Sequence, residues 1–384
     1  MSALRTFITD EIRTRGPIPF SRYMHLCLYG GPDGAPPGYY SADRQVFGKA
    51  GDFYTSSDVH ALFGRLLSRQ FEQMWRALDS PERIELLEVG PGRGLFAQDV
   101  LDWSAEKFPH FHRALRYTLL EISPGLRRRL DERFSEQIAA GKLQVLGSTA
   151  EILEPLEHAI VFANELFDAL PVEVVSDQGQ VFVDVRDARF VDVFRPASPE
   201  VLKYLDRYSV HPHEGERVEA CTVAEEVLRQ IAAVVRRGFL VFIDYGYTRD
   251  EQLQGRHLDT LLTYRQHTAS ADPYAMPGEQ DITAHVNFTA LADFARQSGL
   301  ETFPLVTQSQ FLVGIGEETQ FADAFAGCTL PQEHAKVALQ LKHIATPAGM
   351  GDFFHVLALA RGVEKGKAAQ LDGLKFAREI SSRQ

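Results

Sequence analysis

Apolar residues recur at Leu4, Phe7, Ile8 and Ile12, the spacing of an amphipathic helix. Gly16 and Pro17 stop it, and a second helix is expected from Phe20. Residues 30–38 form a Pro/Gly loop ahead of Tyr39 and Tyr40, and residues 51–58 a polar one. Leu62, Phe63, Leu66, Leu67, Phe71, Met74 and Trp75 then fall on one helical face, most simply core.

From Glu85 onward, short apolar runs alternate with helical patterns, which implies a mostly parallel sheet of the α/β class. Strands are expected at 84–89, 117–120, 143–146, 159–163 and 239–243. Residues 172–185 read as a hairpin outside that sheet, and 223–235 as a helix stopped by Gly238. Residues 248–286 read as a long insertion of loops and short elements. A helix capped by Asn287 covers 288–298, with late strands at 302–306, 310–314 and 354–361. Between them 318–345 is helical, and 365–384 reads as a polar, frayed tail.

Composition narrows the class without choosing a function. The 384 residues are 45% hydrophobic and 24% charged, an ordinary globular balance, and enough for more than one unit. A net charge of −12 argues against a general nucleic-acid binder, which needs a basic face. Three scattered cysteines, Cys27, Cys221 and Cys328, point to a reducing compartment. No signal-peptide core and no run long enough to span a bilayer are found, so a cytoplasmic protein is expected.

The chemistry centres on residues 84–96, where an apolar strand runs into Gly90, Gly92 and Gly94 and then a helical pattern. Glycine lets the chain turn sharply and a ligand approach the backbone, and the helix N–H groups favour negative charge. A dinucleotide turn wants Gly-x-Gly-x-x-Gly, but here the third glycine arrives one residue early, with Glu88 two before the first. The pattern Glu-x-Gly-x-Gly-x-Gly resembles the first motif of class I S-adenosylmethionine-dependent methyltransferases. That resemblance implies Glu88 near the methionine ammonium of the cofactor, and the turn N–H groups near its carboxylate.

Glu121 ends the second strand, 27 positions past Gly94, and reads as the ribose acceptor or as an exposed strand-end charge. The third strand offers no diagnostic acid for adenine. Asn164, Glu165 and Asp168 follow the fourth strand, at the end where open parallel sheets bind ligands. Asn164 is expected on cofactor or backbone. Glu165 and Asp168 share a face if their segment is helical, either to orient a guanidinium and accept its proton or to cap that helix. Asp244 ends the fifth strand and reaches substrate or caps a turn. Asp281 and His285, at i and i+4, read as a substrate clamp or as a structural helix pair. His110 with His112 and His211 with His213 lack further ligands at a recognisable spacing, so no metal is expected.

Several blocks together resemble the MidA-like family of class I methyltransferases: residues 51–56, 88–94, 164–171, 243–246, and 272–288 in part. The resemblance covers roughly residues 3–362 and implies a Rossmann-like, mostly parallel sheet with helices on both faces. It also implies an N-terminal helical extension, an added substrate-side subdomain, S-adenosylmethionine as cofactor, and Gly51, Asp52 and Thr55 folding over it as a lid. The bland reading of that block is a surface turn. Ser57, Asp58 and Asn287 depart from the family pattern, as does the long loop 30–37.

The expected layout is extension and lid over 1–80, cofactor core over 81–250 with a hairpin insertion at about 172–215, and a covering insertion over 251–286. The core resumes over 287–362, followed by a tail over 363–384. The resemblance implies methylation of a protein arginine, as in a mitochondrial relative needed for respiratory complex I assembly. A mitochondrial role for this chain would follow only by analogy. A silent cofactor-binding assembly factor and a small-molecule methyltransferase are the alternatives. No nucleic-acid partner or membrane insertion is expected, and a homodimer is left open.

Overall fold

The computed structural model describes residues 2–32, 34–41, 61–265, 268–346, 351–368 and 370–377. The chain divides into two compact units, each discontinuous in sequence. The first comprises Met1–Phe53, Leu166–Val227 and Gly246–Asp293, and the second Tyr54–Glu165, Leu228–Tyr245 and Phe294–Gln384.

The second unit is built on a sheet ordered Glu301–Thr302, Phe354–Arg361, Gly238–Tyr247, Ala159–Asn164, Ile84–Val89, Leu115–Leu120, Leu143–Leu146. The last five run parallel, and Phe354–Arg361 closes the row antiparallel. All six residues of Ile84–Val89 are buried, as expected of a strand covered on both faces. The apolar stripe of Ala61–Ala77 enters this core, where Phe96 stacks on Phe162 at 4.4 Å and Phe71 meets Phe162 edge-on at 5.7 Å.

Three expectations fail in this unit, the first being the strand at 302–306, which is two short strands, Glu301–Thr302 and Val306–Thr307. Residues 310–314 are not a strand but lie in the helix Gln308–Glu317, started by a capping box in which Thr307 and Gln310 bond each other's backbone N–H. A short apolar run has no period of its own, so the cap decides. Nor is the C-terminal segment a loose polar tail through Ala377. Leu371, Leu374 and Ala377 are buried in the core, and Gln70 accepts the Gly373 N–H at 2.7 Å.

The first unit carries the helices Ala3–Arg15 and Phe20–Tyr29. Its antiparallel sheet is ordered Ile18–Pro19, Gly179–Arg186, Glu173–Ser176, Arg217–Ala220, with Arg189–Arg195 paired to Gly179–Arg186. The expected hairpin thus supplies two strands of this sheet, to which the N-terminal segment adds a short one. A second antiparallel sheet joins Thr268–Ser270, Leu262–Arg265 and Asp281–Thr283. Asp281 therefore lies in a strand, and its i,i+4 relation to His285 is not a helical one. The cap is as expected: Asn287 Oδ1 accepts the Ala290 N–H at 3.0 Å at the start of Phe288–Gln297.

Candidate active site

In the second unit, Gly90, Gly92 and Gly94 all take left-handed backbone, with φ of 71°, 52° and 71°. Three such positions in five residues are cheap only for glycine. The Gly90 N–H donates to the Leu120 carbonyl at 3.0 Å, which ties the turn to the neighbouring strand. Gly94 leads directly into the helix Leu95–Lys107, whose first-turn N–H groups lack intrahelical acceptors.

Two acids flank this turn. Glu88 is buried and accepts the Tyr117 hydroxyl at 2.7 Å. Burial pushes its carboxyl up to about 7, with Tyr117 pulling the other way. Glu121 is also buried and accepts the Ser123 N–H at 2.8 Å. Burial raises it to about 7 as well, opposed by that N–H and by Arg127. Directly after it, Ile122 is 58% exposed, an apolar surface that the sequence reading left without a role. The Gly147 and Ser148 N–H groups are taken by Glu151, so the third strand tip is closed on itself.

The fourth strand ends in Asn164 and Glu165. Glu165 has φ +53°, unusual for a residue with a side chain, while its N–H donates to the Ile243 carbonyl at 2.9 Å. Asn164 Nδ2 donates to Glu165 Oε1 at 2.9 Å, and Asn164 Oδ1 is buried without a partner among the described residues. The left-handed turn corrects the expected helix: residues 165–168 are not helical, and Glu165 and Asp168 share no helical face. They also fall in different units, since the division follows Glu165. Asp244 is buried, and its Oδ1 accepts the next residue's N–H at 3.0 Å.

Asp168 and Asp281 belong to the first unit, among tyrosines. Tyr40 donates to Asp281 Oδ1 at 2.8 Å, and Tyr264 stands opposite Asp281 in the strand register. Burial first, then Asp281 and Asp168, hold the Tyr40 hydroxyl protonated well above its ordinary range. Burial and the same two acids raise Tyr264. His285 faces His257, Nδ1 to Nδ1 at 3.2 Å, and burial followed by His257 lowers it to about 4. One contact of its ring is thus another histidine. Gly51, Asp52 and Thr55 lie outside the described residues.

The second unit's residues fit a sulfonium amino acid with a ribose. The Gly90 and Gly94 N–H groups are used within the fold, so the first-turn N–H groups of the helix that follows are the donors offered to a carboxylate, and two buried acids stand at adjacent strand tips. Asn164 adds a buried acceptor that the described residues leave unused. Among the described residues no group of three or more His, Cys, Asp or Glu could hold a metal, and no helix is long and apolar enough to cross a membrane.

Sheet, turn and acids define a class I S-adenosylmethionine-dependent methyltransferase. A family model described as "Putative S-adenosyl-L-methionine-dependent methyltransferase" matches residues 66–306, and the chain belongs to that family. It is similar to the Drosophila melanogaster protein arginine methyltransferase NDUFAF7 homolog, mitochondrial, at 30% identity over 94% of this chain and 85% of that protein. The Rattus norvegicus protein arginine methyltransferase NDUFAF7, mitochondrial, is 26% identical over 94% of this chain and 86% of its own. A Burkholderia thailandensis crystal structure bound to S-adenosyl-homocysteine superposes with a TM-score of 0.79 at 30% identity. That match covers 97% of this chain and 94% of the other. The MidA-like resemblance and the cofactor are borne out by these matches. The expected cytoplasmic location is corrected by the same relatives, which are named as mitochondrial proteins.

Proposed function

We propose that this methyltransferase acts on an arginine of a protein substrate. The observation that carries the reading is Glu165, held in a left-handed turn with its carboxylate fixed by Asn164 at the end of a central strand. Glu165 is one of nine non-glycine residues with positive φ among the described residues, and the one that directly follows a strand of the parallel sheet; backbone strain of this kind recurs at sites where geometry serves chemistry. Relatives named as protein arginine methyltransferases support the choice of acceptor. The −12 net charge favours a cationic acceptor over a polyanion.

When bound, the cofactor supplies an electrophilic methyl group on a sulfonium. Glu88 and the turn around Gly90, Gly92 and Gly94 would hold its amino-acid end, and Glu121 would accept from its ribose. Ile122 offers an apolar face beside that ribose acid. On the acceptor side, a guanidinium arrives charged and attacks poorly. Glu165 orients it and localises its charge away from the attacking nitrogen. As the N–C bond forms and the methyl–sulfur bond breaks, with S-adenosyl-homocysteine as the leaving group, that nitrogen loses a proton, which Glu165 accepts. Within the first unit, Asp168 and Asp281 offer buried carboxylates to a cation.

The test is tritiated methyl transfer from S-adenosylmethionine into protein and metabolite fractions, followed by mass spectrometry of the labelled species. Label on arginine side chains is expected. Label confined to metabolites would replace the reading with a small-molecule methyltransferase. Tight S-adenosyl-homocysteine binding with no label anywhere would favour a silent assembly factor.

A further inference from the structure

Asp168 and Asp281 are both buried in the first unit, and a tyrosine hydroxyl orders the second. Two donors converge on one oxygen of Asp281: the Tyr40 hydroxyl at 2.8 Å and the Ile282 N–H at 2.9 Å. We propose that Tyr40 is a positioning residue for the acceptor, its hydroxyl fixing Asp281 so that this carboxylate and Asp168 together receive a guanidinium. The inference rests on the arginine reading above.

Tyr40 is itself firmly placed. The Tyr39 N–H donates to the Cys27 carbonyl at 2.8 Å and the Tyr40 N–H to the Leu28 carbonyl at 2.9 Å, so the chain folds back along its own helix. That return needs Gly38, where a Cβ would lie 2.5 Å from the Gly30 nitrogen. The Tyr29 ring lies 5.8 Å from that of Tyr40, and its hydroxyl donates to the Ala169 carbonyl at 3.0 Å, one residue past Asp168. The Asp168 carbonyl in turn accepts the Ala284 N–H at 3.0 Å. One helix end therefore sets both acid-bearing segments.

The physical need follows from charge. Two neighbouring carboxylates repel, and without donors one of them retains a proton or rotates away. A phenol donates without adding a cation that would compete with the guanidinium. Its planar ring also offers a face to a planar cation.

The probe is a peptide library with one arginine per member, labelled with tritiated S-adenosylmethionine. Tyr40→Phe should raise the half-saturating peptide concentration about tenfold or more, the loss of a hydrogen bond to a charged group. The maximal rate should fall less than about threefold, and S-adenosyl-homocysteine affinity should hold. In an Asp281→Asn background, Tyr40→Phe should add little, because the hydroxyl acts through that charge. Half-saturation within twofold of wild type would overturn the positioning role while leaving the arginine reading standing. Should Tyr40→Phe lose S-adenosyl-homocysteine binding, Asp281→Asn alone decides: unchanged half-saturation overturns the role, and a similar rise supports it. No labelling by wild type would overturn the arginine reading and this inference with it.

Discussion

Tyr117 donates its hydroxyl to the Glu88 carboxylate at 2.7 Å, across two neighbouring strands of the parallel sheet. Burial leaves that carboxyl near 7 even with this donor in place. A cofactor ammonium prefers the ionised acid, so binding should release protons around neutrality, and affinity for S-adenosyl-homocysteine should rise from pH 6 to pH 8. Tyr117→Phe removes the opposing donor, raises Glu88 further, and should weaken binding several-fold at pH 7. Calorimetry in two buffers of different ionisation enthalpy reads both effects. A pH-independent affinity with no proton release would show that Glu88 does not meet the ammonium.

Gly94→Ala should damage both fold and cofactor site. The residue sits at φ +71°, and its added Cβ would lie 2.6 Å from the Phe134 ring and 2.8 Å from Leu130. The backbone term alone costs about 1–2 kcal/mol, and the crowding adds to it. A lower melting temperature and a loss of S-adenosyl-homocysteine binding of tenfold or more are expected. A variant matching wild type in both would mean the turn relaxes without consequence.

The glycine turn was readable because its signal is local: strand, spaced glycines, helix, with acids at fixed offsets. Asn287 was readable for the same reason, as a cap is written within four residues. The turn at Glu165 was not readable because a left-handed backbone at a residue with a side chain leaves no sequence signature, and only a helical segment would have put Asp168 on its face. Tyr40 and Tyr264 were invisible as partners of Asp281, since their contacts span 241 residues in one case and depend on strand register in the other. Leu371, Leu374 and Ala377 are too sparse in a polar segment to show periodicity, yet each is buried. Location failed for another reason, because composition records redox environment more readily than cellular address.

Glu165→Gln should separate binding from chemistry. Glutamine keeps an oxygen that can accept from Asn164 Nδ2 but cannot take a proton from an attacking nitrogen. S-adenosyl-homocysteine affinity should stay within about threefold, while methyl transfer falls on the order of 100-fold or more. Equal transfer by the variant would remove Glu165 from the chemistry. Asn164→Ala should act in the same direction more weakly, by releasing the carboxylate it holds.

Glu219 supplies a prediction about stability rather than turnover. Its Oε2 accepts from Thr260 Oγ1 at 2.8 Å and from the Thr260 N–H at 3.3 Å, while its buried Oε1 has no partner among the described residues. Burial raises the carboxyl from 4.5 to about 7, against the pull of Thr260. An acid whose folded pKa is raised binds more protons folded than unfolded. Its stabilising contribution is therefore complete below about 4.5 and lost as pH climbs through about 7. Glu219→Gln removes the charge that must be buried at high pH while keeping an acceptor for Thr260. It should raise the melting temperature at pH 8, by an amount corresponding to on the order of 1 kcal/mol, and change it little or lower it at pH 5. Thermal scans of both proteins at the two pH values make the comparison. A difference between variant and wild type that is the same at pH 5 and pH 8 would mean Glu219 does not titrate between them.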